Sequence, residues 1–251
     1  MDNLEQTLTK KQRRELKKQE KLESKNKEKN KKIRTQILVW LGVIVIIGAG
    51  VILIMQIDSD GSSSTTQVDS ISESDNTKGN AGAGLVLIEY SDFQCPACAS
   101  YQTMVNQLMD EYTDQIHFAY RHFPLRSNNN NAQLASQAAE AAGIQGKFWE
   151  MHDKLFENQS DWSNESDPTE KFATYAGEFE LDVEQFKTDL VSKAIKDEVD
   201  SDYASGSAAK VNSTPSFFLN GEKIKNPETL DKFKELINEE LGVSTGTATT
   251  E

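Results

Sequence analysis

The chain has 251 residues with 27 Lys plus Arg against 40 Asp plus Glu, a formal net charge of −13 at pH 7. Residues 1–36 carry 13 basic and 6 acidic side chains, a net +7, so the remaining residues, with 14 basic and 34 acidic side chains, carry −20. Such an acidic body argues against nucleic acid as a partner. A total of two cysteines excludes a small fold held together by several disulfides.

The basic segment 1–36 is followed by an uncharged apolar run of 19 residues that begins at Ile37 and ends at Met55. At about 1.5 Å per residue, this run is long enough to cross a hydrocarbon core of ~30 Å. Positive flanks stay in the cytoplasm. We therefore predict a cytoplasmic tail at 1–36, a transmembrane helix at 37–57 and an extracytoplasmic remainder. The long leading segment, with no A-x-A-like site after the run, favours an uncleaved anchor over a cleaved signal peptide.

Residues 58–84 are dominated by Ser, Thr, Gly, Asn and Asp, a composition that predicts a disordered linker. Such a linker has a reach of about 30 Å and would tether the next segment near the bilayer. Residues 242–251 are predicted to be a disordered tail. The intervening residues 85–241 are numerous enough to bury a core and are predicted to form one domain.

The predicted domain begins with strand, helix and strand and ends with two strands and a helix. Between these two parts, residues 127–210 show only helical periodicity, which predicts an all-helical insertion. Asn220-Gly221 is typical of a hairpin turn between the last two strands. The predicted strands are 85–90, 116–123, 215–219 and 222–225, and the predicted helices are 95–112, 132–142, 147–157, 169–179, 183–190, 191–209 and 227–241.

The two cysteines form the motif Cys95-Pro96-Ala97-Cys98, directly after the first predicted strand and at the start of a helix. A helix N-terminus presents unpaired N–H groups and a positive dipole end, both of which favour thiolate over thiol. Cys98, one turn further, can form a disulfide with Cys95 and resolve its mixed disulfides. An inert bridge and half of a zinc site are the alternatives. A zinc site needs two more ligands at short spacing, whereas the three histidines are scattered, so no metal is expected.

Three stretches together resemble the DsbA-like branch of the thioredoxin superfamily, specifically its membrane-anchored extracytoplasmic thiol-disulfide oxidoreductases. They are residues 88–98 (IEYSDFQCPAC), 119–125 (AYRHFPL) and 214–221 (TPSFFLNG). The resemblance covers roughly residues 75–241. It implies an α/β thioredoxin fold with an inserted all-helical domain, preceded here by the single transmembrane helix.

The resemblance also implies roles for individual residues. Cys95 would be the exposed nucleophile and Cys98 the buried resolving sulfur of a redox-active disulfide. Thr214-Pro215 matches the cis-proline pair that binds an extended substrate segment, although a trans proline opening a strand is the alternative from sequence. Glu89 matches a buried acid that passes protons to or from Cys98, the alternative being a solvated glutamate facing an edge. Ala97 stands where strong oxidases of the family often have His.

The function predicted from these features is a disulfide-forming oxidase that acts on reduced secreted or surface proteins and is reoxidised by a separate membrane partner. We expect a monomer without a cofactor, bound to the bilayer through residues 37–55. A reductase or an isomerase on the same fold, and a non-catalytic surface binding module, are the alternatives. Nothing in the sequence predicts the dedicated dimerisation domain that would favour an isomerase.

Overall fold

The structure is a computed structural model that describes residues 68–243. The predicted cytoplasmic tail and transmembrane helix lie outside the described residues, as do residues 58–67 of the predicted linker and 244–251 of the predicted tail. Between residues 68 and 243, no helix combines the length and the apolar character needed to cross a membrane.

A five-stranded mixed sheet forms the centre of the domain, in the order β1-β3-β2-β4-β5. The central strand β2 pairs in parallel with β3 and antiparallel with β4. The outer strands β1 and β5 pair antiparallel with β3 and β4. The strands are β1 Asn76–Gly79, β2 Leu85–Ser91, β3 Ile116–His122, β4 Ser216–Leu219 and β5 Glu222–Lys223.

The helices follow the predicted order. One helix connects β2 to β3, six lie between β3 and β4, and one closes the described chain. The predicted all-helical insertion is therefore confirmed. The helices are α1 Pro96–Tyr112, α2 Ala132–Ile144, α3 Phe148–Glu157, α4 Gln159–Trp162, α5 Thr169–Glu178, α6 Val183–Leu190, α7 Lys193–Ala208 and α8 Leu230–Glu240.

The linker predicted at 58–84 is wrong for residues 68–84, which belong to the folded domain. Strand β1 pairs with β3, and Val68 is 7% exposed. Asp75 forms a buried ion pair with Arg121, with Nε at 2.6 Å from Oδ1. The segment has few apolar side chains, and its order comes from the pairing of β1 with β3 and from this ion pair. Composition could not reveal them, because Arg121 lies 46 residues further along the chain.

The two faces of β2 contribute to different parts of the core. Leu87 packs in the larger hydrophobic cluster together with Cys98, whereas Ile88 and Tyr90 pack in a smaller cluster on the other face. Because side chains alternate along a strand, Glu89 lies on the same face as Leu87 and Cys98. The central strand thus places a carboxyl group beneath the N-terminal turn of α1.

Helix α7 of the insertion packs closely against the sheet. The Tyr90 hydroxyl lies 2.6 Å from the Ser205 hydroxyl. At Gly206, a Cβ atom would lie 2.7 Å from the Phe123 ring and 2.9 Å from the Tyr90 ring. The absence of a side chain at Gly206 therefore permits the helix to approach.

Candidate active site

Cys95 occupies the N-cap position of α1, in an extended conformation with φ −80° and ψ 121°. Its side chain is half-buried and its Sγ lies 3.5 Å from the carbonyl oxygen of Thr214. Cys98, in the first turn of α1, is fully buried. Both are free thiols. Cys95 is therefore the sulfur that an incoming molecule can reach.

The loop before Cys95 is shaped by Asp92, which is fully buried. Its carboxylate accepts hydrogen bonds from the backbone N–H of Gln94 at 2.7 Å and of Leu125 at 2.8 Å, and from Asn129 Nδ2 at 2.7 Å. Its carbonyl oxygen accepts from the N–H of Cys95 at 3.0 Å. Sequence reasoning missed Asp92, although an Asp that bonds two residues ahead is a known turn signal.

The helical insertion also holds this loop. Gln159 Nε2, at the start of α4, donates to the carbonyl oxygens of Phe93 at 2.7 Å and Cys95 at 3.0 Å. Gln94 Nε2 donates to the carbonyl oxygen of Ser163 at 2.7 Å. The sequence contained no signal for these contacts, because α4 was not predicted and the partners are distant along the chain.

The Thr214-Pro215 peptide bond is cis, as the resemblance implied. Two hydrogen bonds from side chains to backbone carbonyls hold the loop around this peptide bond. Asn226 Nδ2 donates to the carbonyl oxygen of Pro215 at 2.8 Å, and Ser216 Oγ donates to that of Ser213 at 2.8 Å. The loop thereby brings Thr214 against Cys95.

The two cysteine sulfurs differ strongly in acidity. A hydrogen bond from the Cys98 thiol is the largest of the effects that lower the pKa of Cys95. Further hydrogen bonds from the backbone of Cys98, the Thr214 side chain and the backbone of Ala97 also lower it. Against the opposing effect of burial, they lower the pKa of Cys95 to about 6. Burial, the Cys95 sulfur and Glu89 raise the pKa of Cys98 far above its usual range. The first thiolate therefore forms on Cys95.

Glu89 is buried on the central strand, with 3% of its surface exposed. The alternative of a solvated glutamate facing an edge is therefore wrong. Burial raises the pKa of Glu89 to about 7, and the negative charge of Cys95 acts in the same direction. A carboxyl group with this pKa can both take up and release a proton near neutral pH.

The structure thus brings together the residues that the sequence selected: Cys95 and Thr214 are half-buried, and Cys98, Pro215 and Glu89 are buried. Their catalytic roles stay predictions. Two of the histidines have carboxylate partners elsewhere, His122 with Glu140 and His152 with Asp153, at 2.8 Å each. Residues 68–243 contain no group of three or more side chains suited to hold a metal ion.

The family model described as "Thioredoxin" (Thioredoxin_4) matches residues 72–239, which is more than half of the chain. The chain belongs to the DsbA-like thioredoxin family. This is a family of thiol-disulfide oxidoreductases with a C-x-x-C pair, which here is Cys95 and Cys98.

Solved structures show the same fold. BdbD from Bacillus subtilis in its oxidised form has a TM-score of 0.63 at 22% identity, covering 70% of this chain and 96% of that one. The α-DsbA1 protein of Wolbachia pipientis has a TM-score of 0.61 at 21% identity, covering 68% and 93%. DsbA from Xylella fastidiosa has a TM-score of 0.55 at 14% identity, covering 66% and 92%. At these identities the likeness supports the fold.

Curated relatives share this domain as part of longer proteins. A Na(+)/H(+) antiporter NhaA 1 of Mycolicibacterium vanbaalenii is 37% identical over 157 residues, 61% of this chain and 24% of the relative. An NhaA 3 of Salinispora tropica is 34% identical over 157 residues, 62% of this chain and 23% of the relative. The chain spans about a quarter of the length of these relatives.

Proposed function

We propose that this protein is a disulfide-forming oxidase, anchored in the cell membrane through residues 37–55, that acts on reduced exported polypeptides. The observation that carries the proposal is the arrangement around Cys95 at the N-cap of α1, where hydrogen bonds from the Cys98 thiol, the backbone of the first helical turn and the Thr214 side chain lower the pKa to about 6. A stabilised thiolate favours the reduced enzyme, so the Cys95–Cys98 disulfide is a ready acceptor of electrons from substrate thiols.

The exchange proceeds in two steps. A substrate thiolate attacks the Cys95 sulfur of the enzyme disulfide, the Cys95–Cys98 bond breaks, and Cys98 leaves and takes up a proton. The second substrate thiolate then attacks the substrate sulfur bound to Cys95. A substrate disulfide forms and Cys95 leaves as a thiolate. The two electrons lost by the substrate remain on the enzyme dithiol until a membrane partner accepts them.

The direction of catalysis is tested by equilibrating the full-length protein with glutathione buffers and quantifying its dithiol and disulfide forms. We expect a reduction potential near about −120 mV, the range of a strong oxidant. A potential near about −270 mV or below indicates a reductase and contradicts the proposal. The oxidised protein should also introduce a disulfide into an unfolded polypeptide with two cysteines, whereas a Cys95→Ala variant should not. The exposed Ser100→Ala change on α1 provides the matched control.

The location is tested by labelling with a membrane-impermeant maleimide. In spheroplasts or protoplasts treated with a reductant, Cys95 should be labelled without lysis. Labelling that requires lysis places the domain in the cytosol and contradicts the proposed location.

A further inference from the structure

A buried hydroxyl group lies beside Glu89 and Cys98. Ser91, the last residue of β2, is fully buried, and its Oγ has no hydrogen-bond partner among residues 68–243. Leaving a buried polar group unpaired costs about 1–3 kcal/mol, so buried side-chain hydroxyls are nearly always bonded. An unpaired hydroxyl next to the reacting sulfurs is therefore free to bond to a group whose charge changes during the reaction.

The strand geometry sets the position of this hydroxyl. Glu89 and Ser91 are two residues apart on β2 and point to the same face, the face on which Cys98 packs. The Ser91 hydroxyl is close enough to stabilise the charged forms of both the Glu89 carboxyl and the Cys98 thiol. It thus neighbours both the buried acid and the buried sulfur.

A second buried hydroxyl group, that of Tyr120, lies beside Glu89. On β3, Tyr120 pairs with Glu89, is 1% exposed, and its hydroxyl also has no partner among the described residues. On β4, the residue opposite Glu89 is the apolar Phe217. The titratable groups whose charge acts on Glu89, or on which Glu89 acts, are Cys95, Cys98 and Tyr120, and burial keeps the Tyr120 phenol protonated.

We propose that the Ser91 hydroxyl relays a proton between Cys98 and Glu89. The proposal deepens the exchange reaction proposed for the C-x-x-C pair and rests on it. When Cys98 attacks the mixed disulfide at Cys95, the Cys98 thiol gives its proton to Ser91 Oγ, and Ser91 passes its own hydroxyl proton to the Glu89 carboxylate. In the reverse reaction, Cys98 leaves as a thiolate and receives a proton by the same path.

The atoms and electrons balance in this step. The bond between Cys95 and Cys98 forms, and the bond between Cys95 and the partner sulfur breaks. Cys98 is oxidised and the partner sulfur is reduced to a thiolate. Ser91 ends the step with one hydroxyl proton, as it began, and Glu89 carries the proton lost by Cys98.

The test follows the intramolecular step with oxidised glutathione as the probe. The full-length reduced protein is mixed with glutathione disulfide, quenched by acid and analysed by mass spectrometry for the mixed disulfide and the Cys95–Cys98 disulfide. The variants are Ser91→Ala, Ser91→Thr, Glu89→Gln and the Ser91→Ala/Glu89→Gln double variant. Ser136→Ala provides the control, because Ser136 is equally buried but bonds to Ala132 in α2.

We expect Ser91→Ala to slow conversion of the mixed disulfide by about tenfold or more at pH 7.5, a size typical of lost acid–base catalysis. Ser91→Thr, which keeps the hydroxyl, should stay within about threefold of wild type, and Ser136→Ala should be unchanged. The rate at which the mixed disulfide forms at Cys95 should be the same in the wild-type protein and in all variants. In the Glu89→Gln background, Ser91→Ala should cause no further slowing, because the relay then lacks its acceptor.

An unchanged conversion rate in Ser91→Ala overturns the proposal, as does an equal slowing of Ser91→Ala in the wild-type and Glu89→Gln backgrounds. Equal losses in Ser91→Ala and Ser91→Thr overturn it as well, because they indicate a packing defect. Exchange with glutathione needs only the two thiols. A potential that identifies a reductase would therefore reject the oxidase proposal and leave this test intact.

Discussion

The Cys95 sulfur lies 3.5 Å from the carbonyl oxygen of Thr214, the residue that precedes the cis proline. The nucleophile at the start of α1 is thus in contact with the loop that leads into β4, although the two residues are 119 positions apart. In the thiol form, Cys95 donates to this carbonyl. The nearby Thr214 side chain stabilises the thiolate form by a hydrogen bond and so helps to lower the pKa of Cys95.

Replacing Thr214 tests the contribution of that side chain. The Thr214 hydroxyl is buried and has no partner among the described residues while Cys95 is a thiol, so it is free to donate to the thiolate. We expect Thr214→Val to raise the pKa of Cys95 and to lower the thiolate fraction at pH 6 by about twofold or more, because a bond to the charged form is lost. Thr214→Ser, which keeps the hydroxyl, should have the thiolate fraction of the wild-type protein. Absorbance at 240 nm against pH measures the thiolate, and equal values for Val and wild type would contradict the assignment.

The stability of the reduced protein should depend on Glu89 in a defined pH range. The unfolded carboxyl has a pKa of about 4.3, whereas burial raises the pKa of Glu89 in the folded protein to about 7. As pH rises from about 4.3 to 7, the unfolded state loses this proton while the folded state keeps it, so the free energy of unfolding falls.

Glu89→Gln removes this dependence. The variant should match wild type at pH 4 and exceed it by about 3 kcal/mol above pH 7.5, since each pKa step is worth about 1.4 kcal/mol. Urea unfolding of the reduced form, in the presence of a reductant, measures the difference at several pH values. The Glu222→Gln change, at an exposed position of β5, is the matched control. A Glu89→Gln difference that is flat between pH 4 and pH 8 would show that the carboxyl is not held in an apolar site.

The ion pair between Asp75 and Arg121 should hold the segment before β1 on the domain. Burial by itself would raise the pKa of Asp75, but bonds from Arg121 and Ser72 keep it below its usual value. Asp75→Asn leaves Arg121 buried without its counter-charge and should lower the free energy of unfolding by about 3 kcal/mol. Asp197→Asn, in an exposed pair with Lys193, should change it by less than about 0.5 kcal/mol. Similar effects of the two changes in urea unfolding would refute the buried role.

Gly206 should tolerate no side chain. A Cβ at this position meets the rings of Phe123 and Tyr90 inside contact distance, so Gly206→Ala should destabilise the protein by about 1–3 kcal/mol through overpacking. Gly84→Ala, where a Cβ meets nothing within 4 Å, is the control and should cause no loss. Thermal unfolding compares the two, and an unaffected melting temperature in Gly206→Ala would disprove the tight approach of α7 to the sheet.

The sequence predicted the order of most elements because their signals are local. Strand Leu85–Ser91 opens with the apolar run 85–88, and Asp182 caps Val183–Leu190 by accepting from the N–H of Gln185, as its residue type indicates. Asn220 and Gly221 both adopt positive φ, 48° and 87°, which the hairpin turn requires. The Cys95–Cys98 spacing and the Thr214-Pro215 pair likewise identify themselves within a few residues.

Features that depend on distant partners could not be predicted. Strand β1 has the sequence NTKG and gains its order from pairing with β3. The burial of Glu89 depends on β2 being central, which strand alternation does not determine. Asp92, Gln159 and Ser91 carry no motif of their own, and their significance follows from the groups that the fold brings beside them.

The titration of Cys95 in the reduced protein tests the central claim most directly. The pH dependence of Cys95 alkylation, read peptide by peptide against Cys98, gives its pKa in the full-length protein. The account predicts a value of about 6 for Cys95, with Cys98 unreactive over the same range. A Cys95 pKa near about 8.5, that of an ordinary free thiol, would contradict it.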